Sequence, residues 1–333
     1  MYAVQLHEFG PAANLRYEQL PSPVPGPGQV RIDVQAAGVH FIETTLRAGR
    51  AVGPHAAPAL PVVLGGEVAG VVSALGPDVD ESWSGRRVVG TLDSYGGYAE
   101  QAVVATEALH DIPGTMGADT AVAMVTTGST ALGILDVADA GPGDIALVTS
   151  AAGGLGALFV QALRGKGVTV VAVAGRPEGV RHAASLGADI AVDYRAPHWP
   201  DEVRDALGGR QLTVVFDGVG GVAGRQAFEL LGPGGRFLLH GWSSGAATRI
   251  TTDDIIERAA TVTWALGPRM LHRAGSLREL GARAIRAAAD GELVPLITRY
   301  PLDRAAEAHA DLENRGAAGK IVLIPATASE VPA

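Results

Sequence analysis

The segment with the most chemical content is SAAGGLG (Ser150–Gly156), which joins the apolar run IALVT to the helix-like ALFVQALRGKG. Ala151, Gly153 and Gly156 occupy the three positions of a G-x-G-x-x-G fingerprint, with alanine at the first. Such a turn needs glycine where backbone approaches a pyrophosphate, at Gly153, and where the helix packs close to the strand, at Gly156. The N–H groups at the start of the following helix then hold the diphosphate. A tight turn with no ligand would use the same glycines; the strand, turn and helix order favours the dinucleotide.

The end of the next strand decides which dinucleotide. A site for NAD usually offers Asp or Glu to the ribose hydroxyls about 20 residues after the loop. Here VVAVAGRPEG has no acid at the strand end, and Gly175 and Arg176 follow it. The donor fork of Arg176 can pair with a 2′-phosphate, so NADPH is expected over NADH. Pro177 begins a helix directly afterwards, which leaves open a solvated, helix-capping role for Arg176, and Glu178 lies close by.

The rest of the composition removes other chemistries. There is no cysteine, which excludes disulfides, thiolate catalysis and Cys-ligated zinc. No Ser, His and Asp constellation or carboxylate pair stands out, so hydrolysis has no support. Lys and Arg number 26 against 35 Asp and Glu, a net charge of −9 without a basic run, which disfavours nucleic acid or an anionic membrane as partner. Ile145–Leu163 is uncharged over about the length of a membrane span, but Gly153, Gly154 and Gly156 in its middle read as a turn, not a span. The N-terminal MYAVQLHEFGPAANLRYEQL has no basic-then-apolar run, so a cytoplasmic location is expected.

With 333 residues, 47% hydrophobic and 18% charged, the chain exceeds the roughly 250–300 residues at which one core stops growing, and two domains are expected to position the loop. The first hundred or so residues read as short β segments broken by turns such as SPVPGPGQV. From about Met124, Ile145–Thr149, Val168–Val173, Ile190–Val192, Leu212–Asp217 and Arg236–His240 are strands separated by helical stretches, which predicts a parallel, doubly wound α/β sheet. A strand at Thr261–Leu266, a helix near Leu277–Ala289, a turn and helix in RYPLDRAAEAHADLENR and the strand KIVLIP follow, and the tail ATASEVPA reads as frayed. The last elements are expected to return to the first domain, although periodicity does not show it.

AAGVHFIETTLRAGR, LPVVLGGEVAGVV, GRRVVG, GGYAE, TTGSTAL, SAAGGLGALFVQAL, LGADIAVDYR, FDGVGG, FLLHGWSSG and GKIVLIP resemble, in this order, the zinc-free quinone oxidoreductases of the medium-chain dehydrogenase/reductase superfamily. The resemblance covers nearly the whole chain. It implies a GroES-like, β-rich catalytic domain from residues 1–123 and 267–333, a Rossmann domain from 124–266, and an active site in the cleft between them. Zinc-dependent members carry Cys after the first Gly-Val, His in a Gly-His-Glu and a further Cys near the domain junction; this chain has His40, Gly66 and no cysteine, so no metal is expected.

Residue by residue, the resemblance places the diphosphate on Ala152, Gly153, Gly154, Leu155 and Gly156, the adenosine phosphate near Gly175 and Arg176, and the adenine ribose beside Tyr194. It puts His240, Gly241, Trp242 and Ser243, with Ser244, near the nicotinamide, and Lys320 at a commonly basic position of the closing strand. His40 stands where relatives often have Asn, and Ala51 where they often have Tyr. His40 is a candidate proton donor, an orienting hydrogen bonder or a packed side chain, and Trp242 either shapes a flat substrate site or closes a loop. The missing tyrosine weakens enoyl-thioester reduction, whereas a quinone accepts hydride with little acid help. The expected activity is NADPH-dependent hydride transfer to a quinone, with reduction of an enone C=C and non-catalytic NADPH binding as alternatives. The partner is a small molecule, and a homodimer is expected through Thr261–Leu266, an apolar strand whose edge needs cover.

Overall fold

The computed structural model describes residues 1–51 and 55–326 and divides the chain into two units. Most of the tail ATASEVPA lies outside the described residues. The first unit gathers Met1–Thr127, Ala284–Ala289 and Ile297–Ala333. Its N-terminal part runs through β1 (Tyr2–Leu6), β2 (Leu15–Gln19), β3 (Gln29–Val39), α1 (Phe41–Arg47), β4 (Val62–Val63), β5 (Glu67–Leu75), β6 (Arg87–Thr91), β7 (Gln101–Ala105), β8 (Leu109–Asp111) and α2 (Ala118–Val125). Along β3, buried Val30, Ile32 and Val34 alternate with Arg31, Asp33 and Gln35, the period of two that turns one face of a strand inward.

The second unit, Gly128–Arg283 and Asp290–Leu296, is a six-stranded sheet with helices between its strands. After α3 (Thr127–Ala138) come β9 (Ile145–Thr149), α4 (Gly154–Gly165), β10 (Thr169–Ala174), α5 (Pro177–Ser185), β11 (Ile190–Asp193), α6 (Trp199–Leu207) and β12 (Leu212–Asp217). Then follow α7 (Gly221–Glu229), β13 (Leu231–Leu239), α8 (Thr252–Arg258), β14 (Thr261–Trp264), α9 (Pro268–Ala274) and α10 (Leu277–Ala289). The strand order is β11-β10-β9-β12-β13-β14 and every pairing is parallel. Parallel strands are covered on both faces, and all five residues of β9 are buried accordingly. Phe159 of α4 packs on Phe216 of β12 with ring centroids 5.0 Å apart, each such side chain contributing roughly 1.5–3 kcal/mol by burial. The order reverses between β9 and β12, and in sheets of this kind ligands sit beyond the carboxyl ends of strands at that point.

The last elements are β15 (Ile297–Pro301), α11 (Ala305–Glu313) and β16 (Lys320–Ile324). β16 lies antiparallel to β3, with Ile321 opposite Val39 and Leu323 opposite Ala37, so the end of the chain completes a sheet begun near its start. That sheet runs β15-β16-β3-β5-β6-β8, with β7 also on β3, beside a smaller sheet β2-β1-β4.

Both boundaries differ from the sequence expectation. Residues 124–127 stay with the first unit, because α2 buries Ala121, Val122 and Val125 against Ala36, Ala69 and Val89. Residues 267–283 belong to the second: Met270 packs so tightly on Gly133 that a Cβ there would meet its Cγ at 2.3 Å, and Arg283 pairs with both oxygens of Asp136 at 2.6 and 3.0 Å. Ala118–Ala138 is helical, apolar and long enough to cross a membrane, but 72% of its apolar window is buried inside the protein.

Candidate active site

The glycine turn begins where β9 ends. Ser150 takes a left-handed conformation (φ 52°), its carbonyl accepts the Gly153 N–H at 2.8 Å, and Gly153 caps α4. A Cβ at Gly156 would lie 2.2 Å from the Ser150 carbonyl oxygen, a backbone atom, so only glycine lets the helix seat on the turn. Ala151 is fully buried and its N–H donates to Val173 of β10 at 3.0 Å, tying the turn to the sheet. The first N–H groups of a helix have no acceptor within it, and the helix dipole adds positive potential there. Gly154, Leu155 and Gly156 are those residues, and a dinucleotide diphosphate fits this start.

At the ends of β10 and β11, Tyr194 donates its backbone N–H to the Ala174 carbonyl at 3.0 Å, and its hydroxyl is 2.7 Å from where a Gly175 Cβ would stand. The tyrosine therefore lies against bare backbone at Gly175. Neighbouring acids are already engaged: Asp193 accepts three bonds from Arg195, one from its backbone N–H at 2.9 Å and two from its guanidinium at 3.2 and 3.0 Å, and Glu178 pairs with Arg181 at 3.1 Å. Arg176, the N-cap of α5, is in neither pair, although its charge also acts on Glu178.

The loops after β12 and β13 are organised by Asp217, which is fully buried. Its Oδ1 accepts from the Thr149 hydroxyl and from the N–H groups of Val219 and Gly220, each at 3.1 Å, and its Oδ2 accepts from the Thr248 hydroxyl at 2.5 Å. Ser243 and Ser244 donate backbone N–H groups to Gly218 and Val219 at 3.0 and 2.9 Å, so the His240–Ser244 loop is fixed to the one after β12. The His240 ring packs edge-on to Phe159 and over Gly218; burial lowers its pKa to about 4, leaving it neutral at neutral pH. Trp242 is exposed and its ring centroid lies 5.6 Å from that of Trp264, at the end of β14.

The β-rich unit holds a second centre around His40. The His40 backbone N–H donates to Glu43 Oε2 at 2.7 Å, closing the first turn of α1. Buried Glu43 also accepts the Gly66 N–H at 3.0 Å and the Tyr98 hydroxyl at 2.6 Å. Burial and then Glu43 push the Tyr98 phenol well above its ordinary range, so it keeps and donates its proton. His40 Nε2 lies 2.9 Å from Glu67 Oε1, and Lys320 Nζ lies 2.7 Å from the same oxygen. These are ion-pair contacts without hydrogen-bond alignment, whereas Lys320 Nζ does align with the Val39 carbonyl and with His40 Nε2, each at 3.0 Å. Burial alone would raise the Glu67 carboxyl; His40 and Lys320 outweigh it and hold the group well below the usual carboxylate range. Among the described residues no group of three or more His, Cys, Asp or Glu could hold a metal ion. A cation on His40 Nε2 would moreover meet the Lys320 ammonium.

The residues expected at the cofactor thus fall into two groups. Ala152–Gly156, Gly175, Arg176 and Tyr194 come together along the carboxyl ends of β9, β10 and β11, and Gly241, Trp242 and Ser243 follow β13. Lys320 is a buried residue of the other unit, where its ammonium meets Val39, Glu67 and His40. The His240 side chain packs against Phe159 of α4 and over Gly218 after β12. Glu67, Asp217, Thr149 and Thr248 were missed. The readable signal for Asp217 was an acid ending an apolar strand before three glycines in FDGVGG, and for Glu67 an acid inside the apolar run LGGEVAGVV.

Residues 26–114 match the alcohol dehydrogenase GroES-like domain and residues 154–283 the zinc-binding dehydrogenase domain. A 2-haloacrylate reductase from Burkholderia sp is 31% identical over 97% of this chain and 98% of its own. The quinone oxidoreductase of Lama guanicoe is 31% identical over 97% of both chains. The structure of Escherichia coli quinone oxidoreductase complexed with NADPH superposes with a TM-score of 0.86 at 26% identity, covering 98% of this chain and all of that one.

Proposed function

We propose, from the premise that this chain belongs to the zinc-free quinone oxidoreductase family of the medium-chain dehydrogenase/reductase superfamily, that it transfers hydride from NADPH to a quinone without a metal. The observation that carries the reading is the Ser150–Gly156 turn, followed at the end of β10 by Gly175 and Arg176 in place of an acid. When bound, NADPH supplies the hydride; the protein supplies binding, orientation and electrostatics. The N–H groups of Gly154–Gly156 hold the diphosphate, Arg176 pairs with the 2′-phosphate, Tyr194 lies beside the adenine ribose, and Gly241–Ser243 border the nicotinamide. Exposed Trp242 offers a flat apolar wall to the acceptor. A quinone suits the site because hydride addition gives a stabilised aromatic oxyanion, and position 51 is alanine, not a tyrosine acid.

A second reading is favoured by the 2-haloacrylate reductase relative. In it the acceptor is an activated C=C bond, hydride goes to the β-carbon, and His40 gives a proton to the α-carbon. A homodimer and a cytoplasmic location belong to the same proposal. The homodimer is supported by β14, which among the described residues pairs only with β13 and carries exposed Trp264.

Initial rates of NADPH oxidation with a benzoquinone, a naphthoquinone, a conjugated enone and 2-chloroacrylate separate the readings. Turnover of the quinones supports the first, and turnover of the enone or acrylate alone supports the second. NADPH binding with no turnover of any of them would contradict both and leave a non-catalytic binder.

A further inference from the structure

We propose that Glu67 and Lys320 are positioning residues that set, in opposite directions, when the His40 ring carries a proton. The proposal rests on the reading of His40 as a proton donor and adds two residues to it. His40 Nε2 is almost equidistant from a carboxylate oxygen, 2.9 Å away on Glu67, and an ammonium nitrogen, 3.0 Å away on Lys320. One ring nitrogen cannot answer both at once. As an acceptor it takes an N–H from Lys320, which requires a neutral ring when the other nitrogen holds the proton. As a donor it turns to Glu67, whose negative charge stabilises the doubly protonated ring. Lys320 opposes that charge and Glu67 favours it, at nearly the same range.

The surroundings make this a functional arrangement and not only a structural pair. Lys320 and Glu67 offset each other's charge at 2.7 Å and the Val39 carbonyl gives the ammonium a further partner, but neither Glu67 oxygen has an aligned hydrogen bond, so the carboxylate still has acceptor capacity beside the imidazole. Of the three side chains His40 alone reaches solvent, with 24% of its side-chain surface exposed against none for Glu67 and 5% for Lys320. A proton moving between this cluster and solvent therefore passes most directly through His40. The other charged group against it, Glu43 on α1, is engaged by the His40 backbone N–H, the Gly66 N–H and the Tyr98 hydroxyl. The two opposing charges come from different elements, Glu67 from the first residue of β5 and Lys320 from the first residue of β16, with the His40 peptide at the end of β3 between them.

The test is a histidine-ring NMR titration of ¹⁵N-labelled protein, with His40→Asn assigning the resonance, so that no acceptor is needed. Glu67→Gln is expected to move the His40 midpoint to lower pH and Lys320→Met to higher pH. The double variant removes both charges and should fall between the two. If Glu67→Gln does not fold, Lys320→Met and the double variant still decide the matter. Singles that shift in the same direction, or a Lys320→Met midpoint that stays put, would overturn the proposal. The role of His40 is tested separately by the pH profile of turnover. If the NMR midpoints move as expected while His40→Asn leaves that profile unchanged, the opposing charges stand and the proton-donor reading fails.

Discussion

A methyl group on Gly38 would stand 1.9 Å from the Glu67 Oε1 atom, so this glycine gives the buried carboxylate its place. Gly38 lies on β3 and Glu67 opens β5, paired neighbours in the same sheet. Gly38→Ala should therefore displace Glu67 and destabilise the protein by about 1–3 kcal/mol, the usual range for overpacking a closed site. Urea unfolding measures it, and an unchanged midpoint would mean that the carboxylate has room to retreat.

Arg176→Ala tests the choice of cofactor. Loss of a charge-assisted contact to the 2′-phosphate, about 1.5–3 kcal/mol, should weaken NADPH binding roughly 10- to 100-fold and leave NADH nearly unaffected. Equal weakening of both, measured by calorimetry, would reassign Arg176 to capping α5.

Asp217 should be more sensitive than an ordinary buried polar residue. Asp217→Ala strands the Thr248 hydroxyl and two loop N–H groups and leaves the Thr149 hydroxyl only the Phe216 carbonyl, an expected loss of about 3 kcal/mol or more, while Asp217→Asn retains an acceptor and should lose less. Hydrogen exchange in residues 218–221 and 241–245 should quicken in the alanine variant. Unaltered exchange there would show the loops to be held by other contacts.

Acid should destabilise the protein before its carboxylates titrate. Burial lowers His240 to about 4 and His309 to about 3, both below the ordinary 6.5. The unfolded chain takes up these protons below about 6.5 and the folded one resists, so stability is complete above that pH and declines as pH falls toward 4. Each histidine contributes a slope of about 1.4 kcal/mol per pH unit. The Tyr98 hydroxyl donates to Glu43, so its oxygen accepts the His309 Nε2 proton at 3.0 Å, and a buried Nδ1 has no partner for a second proton. His309→Gln keeps a donor to Tyr98 and should flatten the decline between pH 6.5 and 5; an undiminished slope would place its origin elsewhere.

Local order and local chemistry were legible in the sequence, and distant pairings were not. β9 and β12 were readable to the residue because continuous apolar runs bounded by glycines have few other readings. The turn at Ser150–Gly156 was equally plain, since its requirements are set by neighbours in the chain. The pairing of β16 with β3 joins residues some 280 positions apart, and no periodicity records it. For that reason Lys320 could be seen as a basic position but not as the partner of Glu67 and His40. The boundary near residue 283 was missed for the same cause, because Met270 and Arg283 are fixed by Gly133 and Asp136 on a distant helix.

The most direct test of the account is the initial rate of quinone-dependent NADPH oxidation by protein dialysed against a chelator. Metal-free hydride transfer predicts the same rate before and after dialysis, a much lower rate with NADH, and a slower rate with NADPH deuterated at the transferred C4 position. Absence of quinone-dependent oxidation, or activity lost on dialysis and restored by zinc, would contradict it.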